Sequence, residues 1–307
     1  MLFLDGVGIG KADPSINPFF RARLPTIRSL FQGELPSLRR RRLAGTNATL
    51  IPLDATLGVG GPPQSGTGQT ALFTGINGAK VIGKHFGPHP YSTLKPILEE
   101  RNIFRQLLNV GRRPCFANAF PQKFFDYVEQ KRRPLSVTTL SCLMSGVRLR
   151  SVEDLALSNA VSADITNAGW PGLGHSGIEQ IQPEEAGRRL VRLGREHDFV
   201  LFEYWKTDHA GHSRNIEEAV NALECFDTML AGIIETIDVR ETLLLITSDH
   251  GNIEDMSTKM HTRNAVPLIL YGHAHAEFAR AIQARRKKPT CDLTDITPTI
   301  MQVLAGD

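Results

Sequence analysis

The chain has 307 residues, 41% hydrophobic and 22% charged, which is enough apolar content for a large buried core or two domains. Lys+Arg 35 against Asp+Glu 32 leaves a formal charge of +3, too small a bias to argue for nucleic acid. No run approaches the ~18 apolar residues of a membrane span, and Asp5 interrupts the apolar start too early for a signal peptide. Cys115, Cys142, Cys225 and Cys291 form no C-x-x-C pair, so free thiols and a cytoplasmic location are expected. The basic clusters Arg39–Arg42 and Arg285–Lys288 read as solvated faces. Nothing in the sequence sets an oligomeric state.

Met1 to Leu4 reads as a very short strand, a shortness that hints at a start inside the first strand, and it ends in Asp5-Gly6-Val7-Gly8-Ile9-Gly10. That glycine spacing is not the G-x-G-x-x-G of a dinucleotide loop, and Asp5 is open to two readings, a turn residue or a carboxylate held at a strand end. Leu24 to Phe31 is a short helix with Pro25 in its first turn. Gly58 to Gly75 is a glycine- and proline-rich loop running into a helix from about Thr70, which puts Ser65 near a helix N-terminus. There it could cap the helix or, because free N–H groups favour an anion, attack phosphate.

From about Lys84 to Glu184 the pattern changes. Helical periods over Leu94–Val110 and Val152–Val161, a candidate strand at Arg113–Asn118 and punctuation by Pro88, Pro90, Pro114, Pro121, Pro134 and Pro171 suggest a smaller inserted α/β cap over residues 85–184. The catalytic core would then comprise residues 1–84 and 185–307. Pro183–His197 is a helix, Phe199–Trp205 a strand, and Lys206-Thr-Asp-His-Ala-Gly-His212 follows. In a helical turn Asp208 and His212 share a face while His209 points elsewhere. Asn215–Ile237 is a long helix. Leu243–Thr247 is a buried strand ending in Ser248-Asp249-His250-Gly251-Asn252, His261 precedes a strand at Val266–Tyr271, and Leu293–Leu304 closes the chain as a helix with Asp295 as a candidate cap.

Alternating strands and helices imply a mostly parallel sheet flanked by helices, whose strand ends share one edge. Asp5, Asp208 and Asp249 sit at three such ends, accompanied by His212, His250 and His261, with Ser65 from a fourth loop. One two-metal site accounts for all of them, whereas separate structural roles need four explanations. Imidazole with carboxylate suits a transition metal.

Five pieces in order, Leu4-Asp5-Gly6, Ser65-Gly-Thr-Gly68, Thr207-Asp-x-x-Gly-His212, Ser248-Asp-His-Gly-Asn252 and His261-Thr-x-Asn-x-Val-Pro267, resemble the alkaline-phosphatase superfamily, in particular its cofactor-independent phosphoglycerate mutase and phosphopentomutase branch. The resemblance implies an alkaline-phosphatase-like fold and two divalent transition-metal ions, Zn or Mn. It implies Asp208, His212 and His261 as ligands of one ion, and Asp5, Asp249 and His250 as ligands of the other. Ser65 would be the nucleophile bound to that second ion, with Thr67 as the fallback.

The departures are Gln69, where the mutases of the family place a histidine, and a cap much smaller than that of the phosphoglycerate mutases. In length the chain is nearer the phosphopentomutases. The expected activity is hydrolysis of a small phosphorylated substrate through a phosphoserine. Intramolecular phosphoryl transfer ranks second and a non-catalytic metal-binding protein third. Lys84, Lys95, Arg112, Arg113, Lys123, Arg132 and Arg133 are candidate cations for an anionic substrate, or plain surface.

Overall fold

The computed structural model describes residues 1–130, 134–285 and 290–305. Arg132 and Arg133, and Arg286, Lys287 and Lys288 of the second basic cluster, lie outside the described residues. The apolar runs form a seven-stranded sheet: β1 (Leu2–Leu4), β2 (Leu43–Ala44), β3 (Ala48–Leu53), β4 (Pro114–Phe116), β5 (Phe199–Tyr204), β6 (Leu243–Thr247) and β7 (Val266–Gly272). Their order is β2-β3-β7-β6-β1-β5-β4.

Side chains alternate between two cores, as the twofold period of a strand requires. Leu2, Leu4, Phe202, Tyr204, Leu244 and Ile246 face the layer holding helices Pro183–Glu196 and Ile216–Thr236. Phe3, Leu201, Leu245, Leu268 and Leu270 face the layer holding helices Ser65–Thr74, Ile103–Asn109, His275–Ala284 and Ile296–Ala305. Helices therefore cover both faces. Among the described residues no helix is long and apolar enough to cross a membrane, and all four cysteines are free.

The sheet is mixed, not mostly parallel. β6, β1, β5 and β4 pair in parallel, but β6–β7, β7–β3 and β3–β2 are antiparallel. The reason lies in the connection: residues 248–265 contain no helix, and without a crossover the chain returns beside β6 in the opposite sense. The reversal matters for function. The start of β7 and the end of β3 lie beside the carboxyl end of β6, with Leu53 opposite Val266 and Thr247 opposite Leu268. The loops carrying His261 and Ser65 thus reach the edge where β1, β5 and β6 end.

Much of the segment 85–149 packs directly onto the main sheet. β4 is an edge strand whose Pro114, Cys115 and Phe116 pair with Phe199, Val200 and Leu201. Leu98, Ile103, Phe104, Leu107, Val137, Cys142 and Leu149 belong to the same core as the Ser65 helix. The composition shift that suggested a cap reflects short helices and loops packed onto the sheet's edge. Only Ala119, Leu155, Ala160 and Trp170 form a small satellite cluster.

Local readings differ in smaller ways. The period over Leu94–Val110 breaks into Lys95–Arg101 and Ile103–Asn109 because the side chain of Asn102 caps the second helix at Arg105 N, 3.0 Å away. Val152–Ala156 is shorter than expected. Near the C-terminus Asp292 caps the short 3-10 turn Leu293–Asp295 that leads into the closing helix, and Asp295 completes its capping box from the third position, reaching Asp292 N at 2.9 Å.

The largest helix pair depends on two glycines. A Cβ at Gly232 would stand 2.1 Å from the carbonyl oxygen of Glu184, and one at Gly187 would stand 2.2 Å from that of Met229. Helices Pro183–Glu196 and Ile216–Thr236 therefore meet backbone to backbone. We expect Gly232→Ala to destabilise the fold by about 1–3 kcal/mol, the usual range for overpacking. A thermal melt should show this as a fall of about 2–10 °C. An unchanged midpoint would mean that the helices can move apart freely.

Candidate metal centre

Three adjacent parallel strands, β6, β1 and β5, each end in a carboxylate, and the sheet order gathers them. Asp5 follows β1 and Asp249 follows β6. Asp208 lies in the first turn of helix Lys206–Ser213, which begins two residues after β5. His212 is one turn further along that helix, with its Nε2 3.3 Å from Asp208 Oδ2. His209 points away toward Glu218, at 3.2 Å.

The side chains form two triads. In Asp208, His212 and His261, and again in Asp5, Asp249 and His250, one candidate ligand atom from each residue lies within 4.8 Å of the others. These are the groupings implied by the family resemblance. His261 Nδ1 donates to the Pro63 carbonyl at 2.8 Å, which leaves its Nε2 lone pair facing Asp208 at 3.6 Å and His212 Nε2 at 3.1 Å. That is the arrangement of a ligating imidazole oriented from behind. His250 Nε2 lies 3.3 Å from Asp5 Oδ1 and 3.6 Å from Asp249 Oδ2. The rings of His250 and His261 stack with centroids 3.8 Å apart, joining the triads.

Ser65 is the first residue of helix Ser65–Thr74, and its Oγ is 3.0 Å from His250 Nε2. Thr67, one turn-fraction on, faces elsewhere. Its Oγ1 reaches the Gln64 carbonyl at 3.1 Å and accepts from Phe86 N at 3.3 Å. Gly68 is where the helix presses on the centre, since a Cβ there would be 2.7 Å from the Asp249 carbonyl oxygen. Gln69 donates to Asp249 Oδ2 at 3.1 Å.

The electrostatics of the pit call for cations. Burial, reinforced by the Asp249 carboxylate, pushes the Asp5 pKa up to about 8. Burial also raises Asp249. Burial opposes charge on His250, but Asp249 and Asp5 outweigh it and push its pKa up to about 10. His261 is pushed down to about 4 by burial and by the neighbouring His250. Asp5 Oδ1 is buried without a hydrogen-bond partner among the described residues. Both donor sets, two carboxylates with one imidazole and one carboxylate with two, fit a divalent transition metal.

Several supporting residues carried no role in the sequence. Glu254 is fully buried and accepts from Gly8 N at 2.9 Å, Asn252 N at 2.8 Å and Asn264 Nδ2 at 3.1 Å, and also from the Thr262 hydroxyl. It binds together the loops that carry Asp5, His250 and His261. The glycine spacing after Asp5 was its one sequence signal: a Cβ at Gly8 would lie 2.1 Å from Glu254 Oε1. Asn252 donates to Asp208 Oδ1 at 2.7 Å. Behind Asp5, Glu203 is buried against the Thr138 hydroxyl, and burial pushes its pKa up to about 7.

The expected cations separate. Arg112 and Arg113 engage Asp198 and the Leu304 carbonyl, and Lys123 lies over the Tyr127 ring at 5.9 Å. These contacts are structural. Lys84 lines a hollow beside Ser65.

A model of the Metalloenzyme superfamily matches residues 174–307, which contain five of the six candidate ligands. The 2,3-bisphosphoglycerate-independent phosphoglycerate mutase of Thiobacillus denitrificans is 33% identical over 129 residues, 39% of this chain and 23% of that one. The corresponding mutase of Pseudomonas fluorescens is 32% identical over 137 residues, 40% and 25% of the two chains. These matches make the chain similar to that superfamily over less than half of its length. Its sequence lies near the phosphoglycerate mutase branch, yet it spans about a quarter of the length of the curated relatives it matches. The fold is shared over the whole chain. The alkaline phosphatase of the Antarctic bacterium TAB5 superposes with a TM-score of 0.53 at 14% identity, covering 99% of this chain and 96% of that one. The PH0037 protein of Pyrococcus horikoshii gives 0.59 at 14% identity, covering 100% and 96%.

If cations relieve the carboxylate repulsion, chelation should weaken the fold. At a metal concentration of about 100 Kd the bound ion adds ~2.7 kcal/mol. The melting point should therefore fall by about 5–10 °C in EDTA and rise with added Zn or Mn in the wild type. Asp208→Asn should blunt the response. A melt insensitive to both treatments would exclude ligation by these residues.

Proposed function

We propose that the protein is a metal-dependent phosphoester hydrolase that acts through a phosphoserine at Ser65. The observation that carries this reading is the Ser65 hydroxyl, 3.0 Å from His250 Nε2, placed at a helix N-terminus and facing the two triads. Asp208, His212 and His261 would hold one divalent ion, and Asp5, Asp249 and His250, with Ser65, the other. Bound there, such ions would supply Lewis-acid activation of the hydroxyl and neutralise charge on the phosphoryl oxygens.

The chain's own residues do the rest. Ser65 Oγ attacks phosphorus in line, forming the serine ester as the bond to the departing alcohol breaks, and the hydroxyl proton ends on that alcohol. The positive end of helix Ser65–Thr74 favours the incoming phosphoryl oxygens. Water then cleaves the serine ester and releases inorganic phosphate. Gln69 and Asn252 hold Asp249 and Asp208 through side-chain amides. Pro63 fixes the tautomer of His261.

Two observations favour water as the final acceptor. Residues 85–149 pack into the main core instead of forming a separate body over the centre. The His212 side chain is 47% exposed, so solvent reaches one triad directly. The second reading, intramolecular phosphoryl transfer, is favoured by the mutase names of the curated relatives. It uses the same residues and differs only in returning the phosphoryl group to the substrate.

Ser65→Ala should abolish labelling of the protein by a 32P-phosphoester while metal content stays near wild type. Thr67→Ala should keep the label, with turnover lowered only through packing of the loop. Peptide mapping of the trapped protein decides between them. Label on Thr67, or full turnover without Ser65, would remove the assignment. Release of inorganic phosphate from a simple monoester separates hydrolase from mutase.

A further inference from the structure

The chemistry above makes no use of Glu254. Its side chain is fully buried, where a carboxylate is costly unless its oxygens are satisfied. Four donors satisfy it, and all are neutral: two backbone amides, a hydroxyl and a side-chain amide. Their division between the two oxygens is informative. Oε2 accepts from Gly8 N at 2.9 Å and from Asn252 N at 2.8 Å. Oε1 accepts from Asn264 Nδ2 at 3.1 Å and from the Thr262 hydroxyl.

Each oxygen therefore serves a different triad. Gly8 lies three residues after Asp5 and Asn252 two residues after His250, so Oε2 holds two loops of the triad Asp5, Asp249 and His250. Thr262 directly follows His261 and Asn264 lies three residues beyond it, so Oε1 holds the loop that brings His261 to the other triad. Asn252 extends the tie, because its side chain donates to Asp208 Oδ1 at 2.7 Å. One carboxylate thus reaches the segments or side chains of Asp5, Asp208, His250 and His261.

The packing leaves this carboxylate no other place. A Cβ at Gly8 would stand 2.1 Å from Oε1, and one at Gly251 would stand 2.3 Å from it. The same loops are also laced backbone to backbone. Ile253 N donates to the Gly6 carbonyl at 3.0 Å, and Ile9 N to the Ala265 carbonyl at 2.8 Å. Groups that orient metal ligands from behind govern metal affinity without touching the ion. Here one such group stands behind two sites.

We propose that Glu254 is a positioning residue that ties the two ion sites into one unit, one carboxylate oxygen to each, so that releasing the tie on one side loosens the other. This rests on the reading of the triads as metal sites.

Co(II) is the probe, because its visible d–d band reports ligand geometry. Metal-free protein is titrated well below its melting point, and each triad is read singly. Asp208→Asn leaves Asp5, Asp249 and His250 intact, and Asp249→Asn leaves Asp208, His212 and His261. Glu254→Asp keeps the charge but is one methylene too short to serve both sides. In both backgrounds it should weaken Co(II) binding by about 10–100-fold and alter the band. Glu254→Gln should keep the band in both. Its carbonyl can take the two backbone amides, while the Thr262 hydroxyl and the Asn264 amide turn to accept from its NH2 group. Asn264→Ala removes a donor on the His261 side only, yet in the Asp208→Asn protein it should still weaken Co(II) by about threefold. Loss at one triad alone, or full affinity with Glu254→Asp, would overturn the tie and leave the two-ion reading standing. If Glu254→Asp does not fold, Asn264→Ala decides, and an unchanged affinity there overturns the tie. If the unsubstituted protein takes up no Co(II), the metal reading and the tie fall together.

Discussion

The structure is governed by one electrostatic demand, three aspartates brought into one pit at the end of three neighbouring strands. Asp5 and Asp249 present oxygens within 4.8 Å of each other. Two unit charges at that distance repel by about 3–4 kcal/mol at an effective dielectric constant near 20. Hydrophobic burial of β1, β5 and β6 on both faces outweighs that penalty and leaves no freedom to relieve it by bending a strand away. The imidazoles, the backbone amides and Glu254 surround the pit as a scaffold that tolerates charge. Bound cations would complete the arrangement.

What the sequence disclosed follows from what strands do. Leu243–Thr247 and Phe199–Tyr204 are continuous apolar runs, so their ends, and the aspartates placed there, could be located without coordinates. The (i, i+4) spacing of Asp208 and His212 needed only a helical turn, which is present. The direction of β7 was not legible, because it depends on the absence of a crossover and not on its own composition. β3 was hidden for a related reason. Pro52 weakens the strand signal, yet it faces Pro267 across an antiparallel pair where the ladder tolerates it. The packing of residues 98–149 onto the main core was not legible, because helix-sized periods do not say which surface they cover. Glu254 read as a lone acid in a polar stretch, with only the glycines after Asp5 to hint at it, and its meaning came from the four groups around it.

The glycines near the centre belong to the same account. Gly6, Gly8, Gly68, Gly211 and Gly251 differ in local conformation, but each stands where a Cβ would strike a carboxylate, an amide or a carbonyl of the site, none more than 2.7 Å away. Their common feature is proximity. A pattern that resembles a nucleotide loop in one dimension is, in three, the clearance that lets several backbone segments close around a few polar side chains.

The position of β1 has a consequence for how the molecule is assembled. Leu2 pairs with Phe202 on one side and with Ile246 on the other. This interior strand thus precedes both of its partners by about 200 residues. Closing loops of about 200 residues is entropically costly and kinetically slow. During synthesis β1 emerges first and must wait until Thr247 has left the ribosome before both of its edges can be paired. Until then its exposed N–H and C=O groups are open to other strands. The pit of aspartates cannot form before Asp249 has been made, so nothing can bind across it until then.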